Sequence, residues 1–259
     1  MLLRMDITAR VNELIQNGET FCLATVVKSV RSDIAAGQKN IVLDSGTIEG
    51  DIDDVKLDLK IGSLALEAIS EEKCGLVEIT PGLQIFFDII RPELKLIVCG
   101  AGHIAIPLSR FARDAGFRVT VLDDREDFAH PSRFPGCDVV AADFAATLRN
   151  FNLNRSTFVV VITRGHEHDA ECLMEILKKE TGYIGLIGSR RRVRFVLELL
   201  EKEGIAKERL QEIFTPIGTP IGAESPAEIA LSIIAELVCV RRKGYQQARA
   251  LRKAVGIEP

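Results

Sequence analysis

Hydrophobic residues recur at two different periods along this chain, and the change between them divides it. Near the start, Ile7, Val11, Leu14 and Ile15 share one face at helical spacing, and Gly18 follows as a stop. The runs FCLATVV, KNIVLDSGT and GLVEITPGLQIFFDII then read as strands, rich in β-branched and aromatic residues and punctuated by Gly, Asp and Ser. A helix around Leu57–Ser70 separates the last pair. The expectation is a small α+β unit of mostly antiparallel strands.

Beyond it the two periods alternate. LKLIVCG, FRVTVLDD, DVVAAD, TFVVVIT and YIGLIGS read as strands, while IAIPLSRFARDAG, HDAECLMEILKKE and RRVRFVLELLEKEG carry helical spacing. Strands joined through helical segments predict right-handed crossovers and a parallel sheet with helices on both faces. The expected fold is therefore α/β: a doubly wound, Rossmann-like sheet of order 3-2-1-4-5, preceded by the small α+β domain. Ser225-Pro226-Ala227-Glu228 announces a last helix, with Ser at the N-cap, Pro at the first position and Glu three residues on. Proline at 92 places the boundary at Arg91-Pro92-Glu93, giving domains 1–92 and 93–259. Charge changes at the same point: residues 1–90 carry 8 basic and 15 acidic side chains, whereas the whole chain carries 33 and 37.

That near-balance argues against a nucleic-acid binder, which needs a basic surface to displace counterions. No apolar run approaches the ~18 residues of a membrane span, and the start is too polar for a secretory segment. Six cysteines lie scattered without a CxxC pair, which points to reduced thiols in a cytoplasmic protein rather than a disulfide framework or a zinc site.

Four segments could carry chemistry. Gly100-Ala101-Gly102-His103-Ile104-Ala105 follows a strand and opens a helix: the first glycine allows a tight turn, the second a close approach of N–H groups to a pyrophosphate. Asp123-Asp124-Arg125 ends the next strand about twenty residues on, where an acid can hold a ribose diol and an arginine leaves NAD against NADP open. Thr163-Arg164-Gly165-His166-Glu167-His168-Asp169 ends the fourth strand, so the doubly wound order should bring Arg164, His166 and His168 toward Gly102. Anion recognition, a metal shared by the two imidazoles, and a polar loop with Asp169 as a helix cap are all open readings there. Gly188-Ser189-Arg190-Arg191-Arg192 joins the fifth strand to a helix and offers N–H groups and guanidinium forks to an anion. Pro216–Glu224, with paired prolines and glycines, is a stiff loop expected at the same crevice.

With these motifs in one order, residues 94–243 resemble the xanthine dehydrogenase accessory factor family (XdhC/CoxI). GAGHIA, VLDDRE, RFPGCD, TRGHEHD, YIGLIGSRRR and IGAESPAEIALSIIAE carry the resemblance. It implies a non-catalytic maturation factor that binds molybdenum cofactor, supports its sulfuration with a desulfurase, and delivers it to a molybdenum hydroxylase apo-enzyme. The first domain resembles the family only in outline. Val30–Lys39 keeps Gly37 and Lys39 of the family's glycine-bearing stretch, and a glycine-rich turn reads Gly50-Asp51-Ile52-Asp53-Asp54-Val55. Thr80-Pro81-Gly82 stands where the family has a cysteine before two glycines, with Cys74 as a nearby substitute thiol. The acids Glu49, Asp51, Asp53 and Asp54 repel a phosphate or molybdate oxygen and are open to a cation or to solvent.

The leading reading is thus a cofactor-binding accessory factor, homodimeric through the apolar face of its last helix. An NAD(P)-dependent oxidoreductase using His166 or His168, and a nucleotide-sensing interaction protein, are the alternatives.

Overall fold

Two sheets of opposite character organise the chain, one in each of the compact units Met1–Pro92 and Glu93–Pro259. The computed structural model describes residues 6–50, 52 and 54–254.

In the first unit, α1 (Ile7–Asn17) begins where the Asp6 carboxylate accepts the Thr8 and Ala9 N–H groups, and it ends at Gly18 in the left-handed conformation. The strands are β1 (Phe21–Ser29), β2 (Lys39–Leu43), β3 (Ile48–Gly50), β4 (Gly75–Thr80) and β5 (Leu83–Ile90), with α2 (Val55–Glu71) between β3 and β4. They form one antiparallel sheet of order β3-β2-β1-β5-β4. Alternation explains the packing: Cys22, Ala24 and Val26 of β1 and Ile85 and Phe87 of β5 share a face, and Leu57, Ile61, Ala65 and Ile69 of α2 cover it. Leu14 of α1 packs with Phe21 and Ile41. Two runs that read as single strands are hairpins, turning at Gly46 and at Gly82, both at positive φ. With only three residues, β3 is too short to show a period of its own.

The second unit contains β6 (Lys95–Cys99), α3 (Ala105–Asp114), β7 (Arg118–Asp123), β8 (Asp138–Ala141), α4 (Phe144–Asn150) and β9 (Thr157–Val161). There follow α5 (His166–Ile176), β10 (Tyr183–Leu186), α6 (Arg190–Lys202), α7 (Lys207–Leu210), β11 (Ile213–Phe214) and α8 (Pro226–Ala254). The sheet is parallel throughout, in the order β11-β10-β9-β6-β7-β8. This is the doubly wound arrangement expected, extended by a two-residue sixth strand. Central β9 is buried along its whole length, as a strand covered on both faces must be. Ala105, Leu108 and Ala112 of α3 pack with Ala230, Ile233 and Leu237 of α8 on one face; α4, α5 and α6 cover the other with Phe144, Leu173 and Val196. The elements α4, α7 and β11 have only seven, four and two residues, too few to repeat a period several times, which is why the pattern of the chain does not announce them.

α8 starts with the expected reciprocal cap: Glu228 N–H donates to Ser225 Oγ, while the Glu228 carboxylate accepts the Ser225 and Glu224 N–H groups. Its helical path breaks at Gly244, and the final stretch returns to the sheet edge, with Tyr245 5.1 Å from the Phe214 ring. There Arg252 donates to the buried Glu236 carboxylate at 3.3 Å and to the Pro216 carbonyl at 2.6 Å. Tyr183 Oη and Gly218 N–H donate to the same carboxylate. Burial pushes the Glu236 carboxyl upward, and Tyr183, Gly218 and Arg252 oppose that only in part. A carboxyl raised in the folded state contributes most stability when protonated, and loses it as pH rises through the folded value. Arg252→Ala, by leaving that charge unpaired, is expected to cost roughly 3–5 kcal/mol near neutral pH. The loss should shrink as the pH falls and the carboxyl takes up its proton, read by urea unfolding across a pH series.

Candidate functional site

β6 runs into its turn through a glycine that geometry demands. Gly100 has φ 114°, and a Cβ there would lie 2.5 Å from the Ile162 carbonyl oxygen at the end of β9. Its N–H donates to the Leu122 carbonyl at 2.7 Å, and the next N–H, of buried Ala101, donates to Asp123 Oδ2 at 2.7 Å. Ala105 is fully buried where α3 meets the sheet. Gly102 is different. Its backbone is ordinary, and a Cβ built there meets nothing within 4 Å. The first glycine is required by the protein's own close packing, whereas the second faces unfilled space.

The helix starts of the chain sort into two kinds. Asp6, Asp54, Asp143 and Ser189 accept backbone N–H groups at the starts of α1, α2, α4 and α6, and α8 has its Ser225–Glu228 box. By contrast, α3 begins at Ile104 and α5 at Gly165 with no side-chain cap, as does the four-residue α7. α3 and α5 follow β6 and β9, which pair side by side at the centre of the sheet. Pro107 leaves α3 without an N–H at its third position, and the Gly165 N–H donates to Thr163 Oγ1 at 3.4 Å; the other first-turn N–H groups and the positive dipole ends of both helices are directed to the same edge of the sheet, at its topological switch point.

Both acids after β7 are engaged, which changes the role expected of them. Asp123 is 1% exposed; its Oδ1 accepts the Arg125 N–H at 3.1 Å and Nε at 2.8 Å, while Oδ2 holds Ala101 N–H and Arg125 Nη2. Burial alone would raise its carboxyl, but Arg125 and the Ala101 N–H outweigh that and hold it below the usual carboxylate value. Asp124 makes a bidentate pair with Arg164, at 2.5 and 2.8 Å, and this joins the loops after β7 and β9. The expected ribose-holding carboxylate is thus not free: Arg125, folded back over the Phe128 ring at 3.6 Å, occupies one acid and Arg164 the other.

The TRGHEHD segment is less of a loop than its polarity implied, because His166 already lies in α5. Residues two apart on a helix point to different sides. The His166 ring meets Phe195 edge-on at 4.8 Å, whereas His168 contacts Glu171 Oε2 at 3.2 Å and the Phe144 ring at 5.5 Å. The two imidazoles therefore do not share a point in space, contrary to the shared-metal reading. Among the described residues, no three of His, Cys, Asp and Glu are grouped to hold a metal. Asp169 does not cap α5 either. Inside the helix and fully buried, it accepts from Thr163 Oγ1 at 2.6 Å and Arg192 Nε at 2.7 Å. Burial raises its carboxyl, opposed by Thr163 and Arg192.

Arg192 is thus the inward arginine of its run, also donating to the Thr163 carbonyl at 3.0 Å, while Arg190 is exposed. Helical spacing contains this signal: Arg192 lies on the stripe of buried Val196 and Leu200, and Arg190 does not. Ser189 Oγ caps α6 through Arg192 N–H at 3.3 Å, so its hydroxyl has a structural role. Gly188 and Arg190 line a separate cavity that does not include Gly100, Gly102, Arg164 or His166. The Pro216–Glu224 loop bonds to β10 and α8, through Ile217 N–H to Leu186 O and Thr219 N–H to Ser232 O. His103 is exposed beside Gly102.

In the first unit, Glu49 is bound by Arg10 at 2.8 and 2.9 Å, and Asp54 caps α2 while pairing with Arg31 at 2.8 Å. Asp51 and Asp53 lie outside the described residues. Cys74 precedes β4 and Thr80 ends it, so the strand's rise of ~3.3 Å per residue separates them by roughly 20 Å. A thiol at Cys74 does not substitute for one at Thr80.

Comparison with known proteins bears on the family and the fold. The family described as XdhC Rossmann domain matches residues 96–237. An uncharacterised protein of Escherichia coli, YqeB, is 26% identical over 253 residues, covering 92% of this chain and 46% of its own length. A Bacillus subtilis protein described as a probable xanthine dehydrogenase subunit is 33% identical over 161 residues, 62% of this chain and 47% of that protein. The chain thus spans about half the length of these curated relatives. A crystal structure described as a xanthine dehydrogenase from Bacillus halodurans superposes with a TM-score of 0.59 at 27% identity, over 95% of this chain and 68% of that one.

The Asp123 contacts yield a pH-dependent expectation. A carboxyl depressed in the folded state contributes stability above its unfolded value of about 4, and loses it as pH falls through the folded value. Asp123→Asn is therefore expected to lower unfolding free energy by about 1.5–3 kcal/mol at neutral pH. The gap to the parent should close as denaturation is repeated at progressively lower pH.

Proposed function

The chain belongs to the XdhC Rossmann domain family, and from that premise we propose that it is an accessory factor of a molybdenum hydroxylase of the xanthine dehydrogenase type. In this reading it binds a phosphate-bearing cofactor or nucleotide where β6 and β9 end, and it acts through the partner enzyme. Molybdenum cofactor, or NAD or NADP, is the ligand class proposed.

One observation carries the binding proposal. The two helices that leave the adjacent central strands, α3 and α5, have no capping side chain, and Gly102 between them opens on unfilled space. A phosphate would receive the free N–H groups there and meet the positive ends of both helices. The residues present fit such a group at its phosphate end. They fit a thiolate contact in the first unit less well, since Thr80 occupies the position where the resemblance implies a cysteine. Arg164 is a guanidinium that a ligand could recruit, by exchange from its half-exposed pair with Asp124. Sulfur delivery by a desulfurase belongs to the same proposal, drawn from the family resemblance; the apolar face of the last helix, expected to form a homodimer, is instead buried against α3 through Ala230, Ile233 and Leu237.

Calorimetry with NAD, NADP, ATP and a pterin dinucleotide, at fixed low salt to limit screening, tests it. At least one should bind below millimolar concentration. Gly102→Val should abolish that binding with unchanged thermal unfolding, because the added carbons enter space that no protein atom fills. Absence of binding by every ligand, or parent-like affinity in Gly102→Val, would refute the crevice as a phosphate site.

A further inference from the structure

A second cavity, of about 560 Å³, opens between α6, α7 and the segment that follows β11. Val193, Leu197, Leu210 and Pro216 supply its apolar lining, and Arg190 and Arg194 stand at it one helical turn apart. Its size lies within the range of small-molecule sites, which combine an apolar body with a few placed polar groups.

The two arginines lack a structural purpose. Neither makes a hydrogen bond, ion pair or ring contact with the described residues, in contrast to Arg192 on the same helix. Arg190 also lies in the first turn of α6, where a cation opposes the helix dipole. Two acids share the cavity, Glu198 and Glu201, but Glu201 is paired with Lys207 at 3.1 Å. Counting Lys207, cations outnumber acids around an otherwise apolar lining.

We propose that this cavity binds a small aromatic phosphate. The ring lies against Val193, Leu197, Leu210 and Pro216, and the phosphate takes charge-assisted hydrogen bonds from Arg190 and Arg194. This site does not depend on the glycine turn, because none of Gly100, Gly102 and Arg164 lines it.

The test uses the whole chain and 1-naphthyl phosphate as probe, titrated by calorimetry at low salt. Saturable one-site binding is expected below millimolar concentration, with 1-naphthol and inorganic phosphate each much weaker. The double variant Arg190→Gln/Arg194→Gln should weaken 1-naphthyl phosphate about tenfold or more. Its thermal unfolding should match the parent's, since neither side chain has a partner to lose. Gly102→Val should leave this binding unchanged even where it abolishes dinucleotide binding. The proposal is overturned by parent-like affinity in the double arginine variant, by inorganic phosphate binding as tightly as the aromatic ester, or by loss of binding in Gly102→Val. Absence of saturable binding by the parent overturns it as well.

Discussion

The buried Asp123 carboxylate is the contact around which the second unit is arranged. At the end of β7 it reaches across to the Ala101 N–H and so fixes the turn that ends β6. That turn sets where α3 starts, and α3 carries Leu108 and Ala112 into the core shared with α8. A carboxylate with almost no exposure persists as an anion only if its oxygens are paired, and Arg125 together with two backbone N–H groups meets that condition. Gly100 serves the same geometry from the other side, letting the turn approach the carbonyl at the end of β9.

Two further polar stitches hold the same edge of the sheet. Asp124–Arg164 joins the loops after β7 and β9 at the surface, and Asp169–Arg192 joins α5 to α6 in the interior. They differ in energetic character. The first is partly solvated and contributes little, whereas the second leaves the fully buried Asp169 without its cation if Arg192 is lost. Both lie on the side of the sheet where the uncapped starts of α3 and α5 are found.

The first unit follows another logic. The acids in and after β3 read as an anion-repelling turn, but Glu49 and Asp54 are each paired with an arginine from elsewhere in the unit. Thr80 and Cys74 stand at opposite ends of β4, so the strand's own length separates them. The unit's fold is retained by alternation on its two long central strands, which tolerates changes in the turns far better than changes in the core.

Elements long enough to show a period were legible in the order of residues alone: the helix of 7–17, the alternating strands of the first sheet, and the five main strands of the parallel sheet. The glycine turn was legible too, because tight approach of backbone to backbone leaves glycine as the residue that fits. Family membership could be read for the same reason, since those motifs are contiguous in the chain. Which charged groups are free was settled by folding. Asp123 and Arg125 are neighbours, but Asp124 meets Arg164 across 40 residues, Asp169 meets Arg192 across 23, and Glu236 meets Arg252 through a chain reversal at Gly244. Local spacing reports which face a side chain occupies and not what approaches that face from elsewhere. For that reason Arg190, Ser189 and the two histidines, grouped by sequence into one crevice, are distributed by the fold among a second cavity, a helix cap and two different aromatic neighbours.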